Sequence, residues 1–140
     1  MAAQHTYRLT ITSETDRLTD VRQFVSDHAR KHGFLDDDVN KIAIAVDEAC
    51  TNIIKHGYNY SPDHTIDIEI RRKTGTFEIT ITDNGKRFDP DSIATPDMKE
   101  YLSHYRHGGL GVYLMKRIMD SVEFDTRSDR NILRMVKTLP

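Results

Sequence analysis

The chain is poor in the features that would place it outside ordinary soluble chemistry. It has one cysteine, Cys50, which excludes an internal disulfide and fits a reducing compartment. No apolar run approaches the roughly 18–20 residues of a membrane-spanning helix, and Met1-Ala-Ala-Gln-His-Thr6 lacks signal-peptide character. Charge of one sign is also lacking. The net charge is -2 with 30% charged residues, which gives no general reason to expect nucleic acid or an anionic membrane as partner. Repeats, low-complexity tracts and an interdomain linker are missing. The expectation is a cytoplasmic protein forming one domain over residues 1–140, long enough to bury a core.

What is present begins with a misplaced acid. In Thr76-Phe-Glu-Ile-Thr-Ile-Thr-Asp83-Asn-Gly85, Phe77, Ile79 and Ile81 alternate with Glu78, Thr80 and Thr82, the period of a half-buried strand. Counting on by two puts Asp83 on the apolar face. A carboxylate there costs several kcal/mol unless a donor reaches it, and a ligand amine such as that of adenine would serve. The competing reading is that the strand ends early and Asp83 caps the turn into Asn84-Gly85.

Around this strand the pattern predicts a first strand over Tyr7–Thr12. A helix follows from about Asp16 to His32, capped by Ser13 or Thr15 and stopped at Gly33. It carries Leu18, Val21, Phe24, Val25 and Ala29 at helical spacing. A long helix opens at Asp36 or Asp37 and runs to about His56, closed by Gly57. Strands Thr65–Arg72 and Thr76–Asp83 form a hairpin through Lys73-Thr74-Gly75. Residues from Gly85 to Gly109 read as irregular, with a short helix near Met98 to His104. A helix over Gly111–Asp120 leads to a second hairpin, Ser121–Thr126 and Ile132–Leu139. So hairpin-rich a sheet predicts an α/β two-layer sandwich, with a mixed, mostly antiparallel sheet and helices on one face.

Three segments carry candidate chemistry. On the long helix Val39, Ile42, Ala43, Val46, Cys50 and Ile53 form the core stripe at about 100° per residue. Glu48 and Asn52 are neighbours on the nearly opposite face. They read either as a solvated polar face or as a base beside an amide oxygen able to ligate Mg²⁺, which prefers oxygen ligands and phosphates. The second segment is Asp83-Asn-Gly-Lys-Arg-Phe-Asp-Pro90. Gly85 there permits close backbone approach or a positive φ, and Phe88 is placed to close over a ring. The third is Arg106-His-Gly-Gly-Leu-Gly-Val-Tyr-Leu-Met-Lys-Arg-Ile-Met-Asp120. Glycines feeding a helix N-terminus suit phosphate, against the plainer reading of a flexible loop and helix start. Neither a P-loop nor a strand-borne Gly-x-Gly-x-x-Gly is present.

In order and spacing, Glu48-x-x-x-Asn52, Asp83-x-Gly85-x-x-Phe88-Asp-Pro and Gly108-Gly-Leu-Gly111 resemble the N, G1 and G2 boxes of the histidine-kinase-like (GHKL) ATPase superfamily. Val46-Asp-Glu-Ala-Cys-Thr-Asn-Ile-Ile-Lys-His-Gly-Tyr58 and Gly108–Asp120 are most similar to anti-sigma-factor serine-protein kinases of the RsbW type. The resemblance covers nearly the whole chain and implies ATP and Mg²⁺ as cofactors. By it, Asp83 receives the adenine amine, Asn52 is the Mg²⁺ ligand, and Glu48 is the general base toward an acceptor serine. Gly85 and Phe88 belong to the adenine-side box. Gly108, Gly109, Leu110 and Gly111 form the phosphate-facing turn, and residues from about Pro90 to His107 form a lid. The implied partners are a STAS-type anti-sigma antagonist as substrate, a sigma factor, and a second copy in a homodimer. Two departures stand out: Lys86-Arg87-Phe88 where many relatives carry a second glycine, and Arg127 and Arg130 in place of a third glycine box.

The alternative to a kinase is a non-catalytic ATP-binding module that sequesters a partner. Glu48 favours the enzyme, because binding alone needs Asn52 and Asp83 but no base. The catalytic half of a sensor histidine kinase is disfavoured, since no dimerisation helix, membrane or sensor region is evident. His28 and His32 share the spacing of a two-histidine metal clip but lack a third ligand. Cys50, Met115 and Met119 read as packing.

Overall fold

In a computed structural model of the chain, residues 5–86 and 109–140 are described, with the backbone alone for residues 109–111. The short helix expected near Met98, the lid segment, Phe88 and Gly108 lie outside the described residues.

Strand β1 (His5–Thr12) leads through a 3₁₀ turn (Thr15–Arg17) into helix α1 (Leu18–Lys31) and then helix α2 (Asp36–Asn52). A π-helical turn, Ile53–Gly57, extends α2 before β2 (Thr65–Lys73) and β3 (Thr76–Asp83). Helix α3 (Gly109–Ile118) and the hairpin β4 (Ser121–Arg127) and β5 (Arg130–Thr138) complete the described chain. Among the described residues the expected elements are present within two residues of their predicted ends, except that α2 stops at Asn52 and the π turn covers the rest of the span predicted to about His56. The sheet order is β1-β2-β3-β5-β4. Every pairing among the described residues is antiparallel, so the parallel component of a mixed sheet does not occur there.

Alternation sets the two faces. Ile66, Ile68 and Ile70 of β2, Phe77, Ile79 and Ile81 of β3, and Leu133 and Met135 of β5 are buried together with Val21, Val25, Val39, Ile42, Val46, Val112 and Met115 from the helices. This is one core between a sheet and a helix layer, as the period-two and helical stripes require. The opposite sheet face is polar. Glu78, its one buried acid among the described residues, is paired with Lys73 at 2.7 Å and Arg134 at 3.5 Å, and the stems of long basic side chains cover such a group while their charges stay wet.

Helix α2 is buried over a wider arc than its predicted stripe. Ala45 and Ala49 are buried beside Val39, Ile42, Ala43, Val46 and Cys50, because α2 packs against α1 and α3. It has no side-chain N-cap. Asp36, Asp37 and Asp38 occupy its first turn instead, where acids oppose the positive end of the helix dipole. Ser13 does not cap α1 either. Its hydroxyl donates to the Ser61 carbonyl and accepts the His64 N–H, tying the end of β1 to the loop before β2. Glu14 takes the N-cap position of the 3₁₀ turn and Arg17 that of α1, neither with a side-chain capping bond.

Both hairpins turn on two residues. Gly75 has φ +79° and Ser128 φ +53°, the left-handed backbone that tight hairpins demand.

Candidate functional site

The candidate site lies where the C-terminal end of α2 meets the end of β3. Helix α2 ends at Asn52, and the next turn widens. The Tyr58 N–H bonds to the Ile53 carbonyl at 2.8 Å, the i→i+5 pattern of a π turn, which is frequent at functional sites. The widened turn delivers Gly57 to the end of β3, where the Lys86 N–H donates to the Gly57 carbonyl at 2.7 Å. Gly85 lies against Gly57 so closely that a Cβ on Gly85 would stand 2.7 Å from the Gly57 carbonyl carbon and 2.9 Å from its Cα. Of the two uses expected of Gly85, close approach is the one realised, and no larger residue fits without moving backbone.

Asp83 is 7% exposed and in register with Phe77, Ile79 and Ile81. The strand does not end early, since β3 runs through Asp83 and pairs it with β5; the acid faces inward, and its Oδ1 still accepts the Gly85 N–H at 2.8 Å across the turn. The Asn131 amide also donates to Oδ1, at 3.1 Å. Oδ2 carries no hydrogen bond among the described residues. Burial pushes the Asp83 carboxyl up from its ordinary pKa, while the bonds from Asn131 and Gly85 pull it back.

Tyr58 props the same turn from below. Its hydroxyl donates to the Thr65 carbonyl and accepts the Asn84 N–H, both at 2.8 Å, and its ring stacks on His64 at 4.4 Å. Neither Tyr58 nor Asn131 was identified from the sequence. Asn131 was open to the same counting that located Asp83, since Asn131, Leu133 and Met135 alternate onto one face. The β3–β5 register sets Asp83 directly opposite Asn131.

Glu48 and Asn52 are half-buried, although their positions oppose the core stripe, so this face of α2 is not simply solvated. The Asn52 Nδ2 is buried without a hydrogen-bond partner among the described residues. An amide left in that state marks a place where a polar ligand belongs. Among the described residues, a buried carboxylate oxygen without a donor suits a ligand amine such as that of adenine, and an orphaned amide N–H on the adjoining helix end suits an acceptor such as a phosphate oxygen.

Gly109, Leu110 and Gly111 form the first turn of α3, two residues earlier than the predicted helix start at Gly111. Their N–H groups are among those that a helix cannot satisfy internally.

The remaining candidates are packing. Cys50 is fully buried and its thiol pKa is pushed up by that burial. Met115 and Met119 are in the core. His28 stacks on Tyr7 at 3.9 Å, and His32 lies 5.9 Å from Phe77. Among the described residues no group of three or more His, Cys, Asp or Glu is placed to hold a metal, and no helix is long and apolar enough to cross a membrane.

The histidine kinase-like ATPase domain matches residues 11–137. This chain belongs to that family. The serine-protein kinase RsbW of Halalkalibacterium halodurans is 33% identical over 138 residues, covering 96% of this chain and 83% of that protein. RsbW of Bacillus velezensis is 32% identical over 84% of this chain and 76% of its own length. The chain therefore stands with the RsbW-type kinases inside the family. Among solved structures, the RsbU and RsbW domains of Rv1364c from Mycobacterium tuberculosis superpose with a TM-score of 0.70 at 13% identity, covering 96% of this chain and 32% of that one. The SiaB-SiaC complex from Pseudomonas aeruginosa gives 0.66 at 15% identity, covering 93% and 88%. At such low identity these two likenesses concern the fold: one antiparallel sheet under a layer of helices.

Proposed function

We propose that this chain is an ATP-dependent serine-protein kinase acting in the cytoplasm as an anti-sigma-type regulator. It phosphorylates a STAS-type antagonist, binds a sigma factor, and works as a homodimer of single-domain subunits. The observation that supports the reading best is Asp83, an acid in core register at the sheet end with one oxygen unengaged among the described residues. Asp83 accepts the exocyclic amine of adenine through Oδ2. Gly85 allows the turn to lie close, and Phe88 belongs to the same box. Asn52 would hold Mg²⁺ through its amide oxygen, and the ion would supply charge neutralisation to the phosphates. The N–H groups of Gly109, Leu110 and Gly111 face the phosphate oxygens, and Gly108 belongs to the same glycine box.

Glu48 then takes the proton of the acceptor serine as its oxygen bonds to the γ-phosphorus and the bond to the β-phosphate oxygen breaks, leaving ADP. Such transfer rests on positioning and electrostatics more than on covalent work by the protein. A polar face that only held nucleotide would need no carboxylate at Glu48.

The deciding experiment incubates the protein with labelled ATP, Mg²⁺ and purified STAS-domain candidates, reading phosphoserine on the partner. Label on the partner with wild type and none with Glu48→Ala is the expected result. Absence of label with every candidate, together with no calorimetric heat on adding ADP, would refute the reading.

A further inference from the structure

We infer that Asn131 is a positioning residue for purine selection, acting through Asp83. The inference rests on the adenine role of Asp83 proposed above. One Asn131 nitrogen serves two acceptors: Nδ2 donates to Asp83 Oδ1 at 3.1 Å and to the Gly85 carbonyl at 2.9 Å. Both amide hydrogens are thereby used. The assignment of nitrogen and oxygen is dictated by the neighbours, since the reversed amide would set its oxygen against two other oxygens.

The consequence for Asp83 is directional. With the Gly85 N–H also on Oδ1 at 2.8 Å, two donors converge on one carboxylate oxygen, and the other is left to face a ligand. They also favour the charged form, which burial opposes. A charged carboxylate only accepts hydrogen bonds. It matches the amine at C6 of adenine and repels the carbonyl at C6 of guanine. If Asp83 were protonated or free to rotate, it could donate to that carbonyl, and the preference would shrink. Asn131 thus keeps Asp83 a fixed acceptor from the neighbouring strand.

The other titratable groups near Asp83 do not compete for this role. The Cys50 thiol on α2 and the Tyr58 phenol after the π turn both have raised pKa values, with burial the main cause. Both stay neutral across the range in which a carboxylate titrates.

The test measures ADP and GDP binding by calorimetry from pH 5 to 8 on wild type, Asn131→Ala and Asn131→Asp, with thermal melts as a folding control. Asn131→Ala should weaken ADP about ten-fold at pH 7.5, as loss of a hydrogen bond to a charged group does. Its acid limb should move to higher pH than in wild type, and its preference for ADP over GDP should narrow. Asn131→Asp has the same shape but sets carboxylate against carboxylate, so one must hold a proton. Its ADP binding should improve on acidification, the reverse of the wild-type slope.

Equal weakening of ADP and GDP with an unmoved acid limb would reduce Asn131 to a structural strut and overturn the inference, as would unchanged binding in either variant. Failure of wild type itself to bind ADP would instead remove the adenine reading, and this one with it.

Discussion

Two neighbourhoods of buried polar groups sit in different parts of the same sandwich, and they are built on opposite terms. At the end of β3, Asp83 is surrounded by donors: Gly85 and Asn131 bond to it, and Tyr58 holds the next residue. Against β1, the His28 Nδ1 and the His32 Nε2 are buried with no hydrogen-bond partner among the described residues. Rings enclose them: Tyr7, Phe24 and Phe77 lie within 3.9 to 5.9 Å of one or the other. The first neighbourhood supplies donors that partly offset the burial of its carboxylate, while the second favours the neutral imidazole. Burial of an ionisable side chain therefore does not make a site, and the supply of partners distinguishes the two.

The protonation consequences run in opposite directions. Burial raises the Asp83 pKa, so its stabilising contribution is present below the ordinary value of 3.8 and is lost as pH rises through the folded value. Burial lowers the His28 and His32 pKa values, helped by Lys31 beside both and by Arg72 and His5 beside His32, while Asp27 opposes the shift at His28. Their contribution is present above 6.5 and is lost as pH falls through the folded values. Acid relieves one neighbourhood and strains the other.

The largest expected effect silences the furnished side without touching the ring-lined one. Glu48→Ala should lower phosphoryl transfer by about 10²–10⁴-fold, the usual worth of a general base, while ADP binding and melting temperature stay near wild type. Asp83→Asn comes next. It turns the ligand-facing oxygen into a donor and should weaken ADP about ten- to hundred-fold by calorimetry. Equal affinity in the two proteins would erase the contrast drawn here. Gly85→Ala tests how tightly the furnished side is fastened. The added methyl meets Gly57 backbone and should cost about 1–3 kcal/mol in denaturant unfolding. The smallest effect belongs to the histidines: wild type should lose stability between pH 7.5 and 5.5, and a His28→Phe, His32→Phe double variant should lose less. Parallel pH profiles would show that the unpartnered nitrogens do not matter.

Much of this was legible in the residues because local periodicity carried it. The alternation through Phe77, Ile79 and Ile81 placed Asp83 inward, and the spacing of α2 put Glu48 and Asn52 together. Gly85 was legible as a place for close approach or a positive φ, but the surface it approaches was not, because Gly57 is far away in sequence. Asn131 and Tyr58 escaped for the same reason, as strand register and a π turn bring them to Asp83. The caps also misled: Ser13 has the right chemistry for a helix start, yet Ser61 and His64 claim its hydroxyl.

The Gly57–Gly85 contact is a seam in which main chain touches main chain. Nothing flexible lies between the two segments to absorb a displacement, so the strand end and the helix end move as one piece. Whatever presses on Asp83 is passed through Gly85 to Gly57, five residues beyond Asn52 on the same helix end, so in the nucleotide site proposed above one joint would link the base end to the phosphate end.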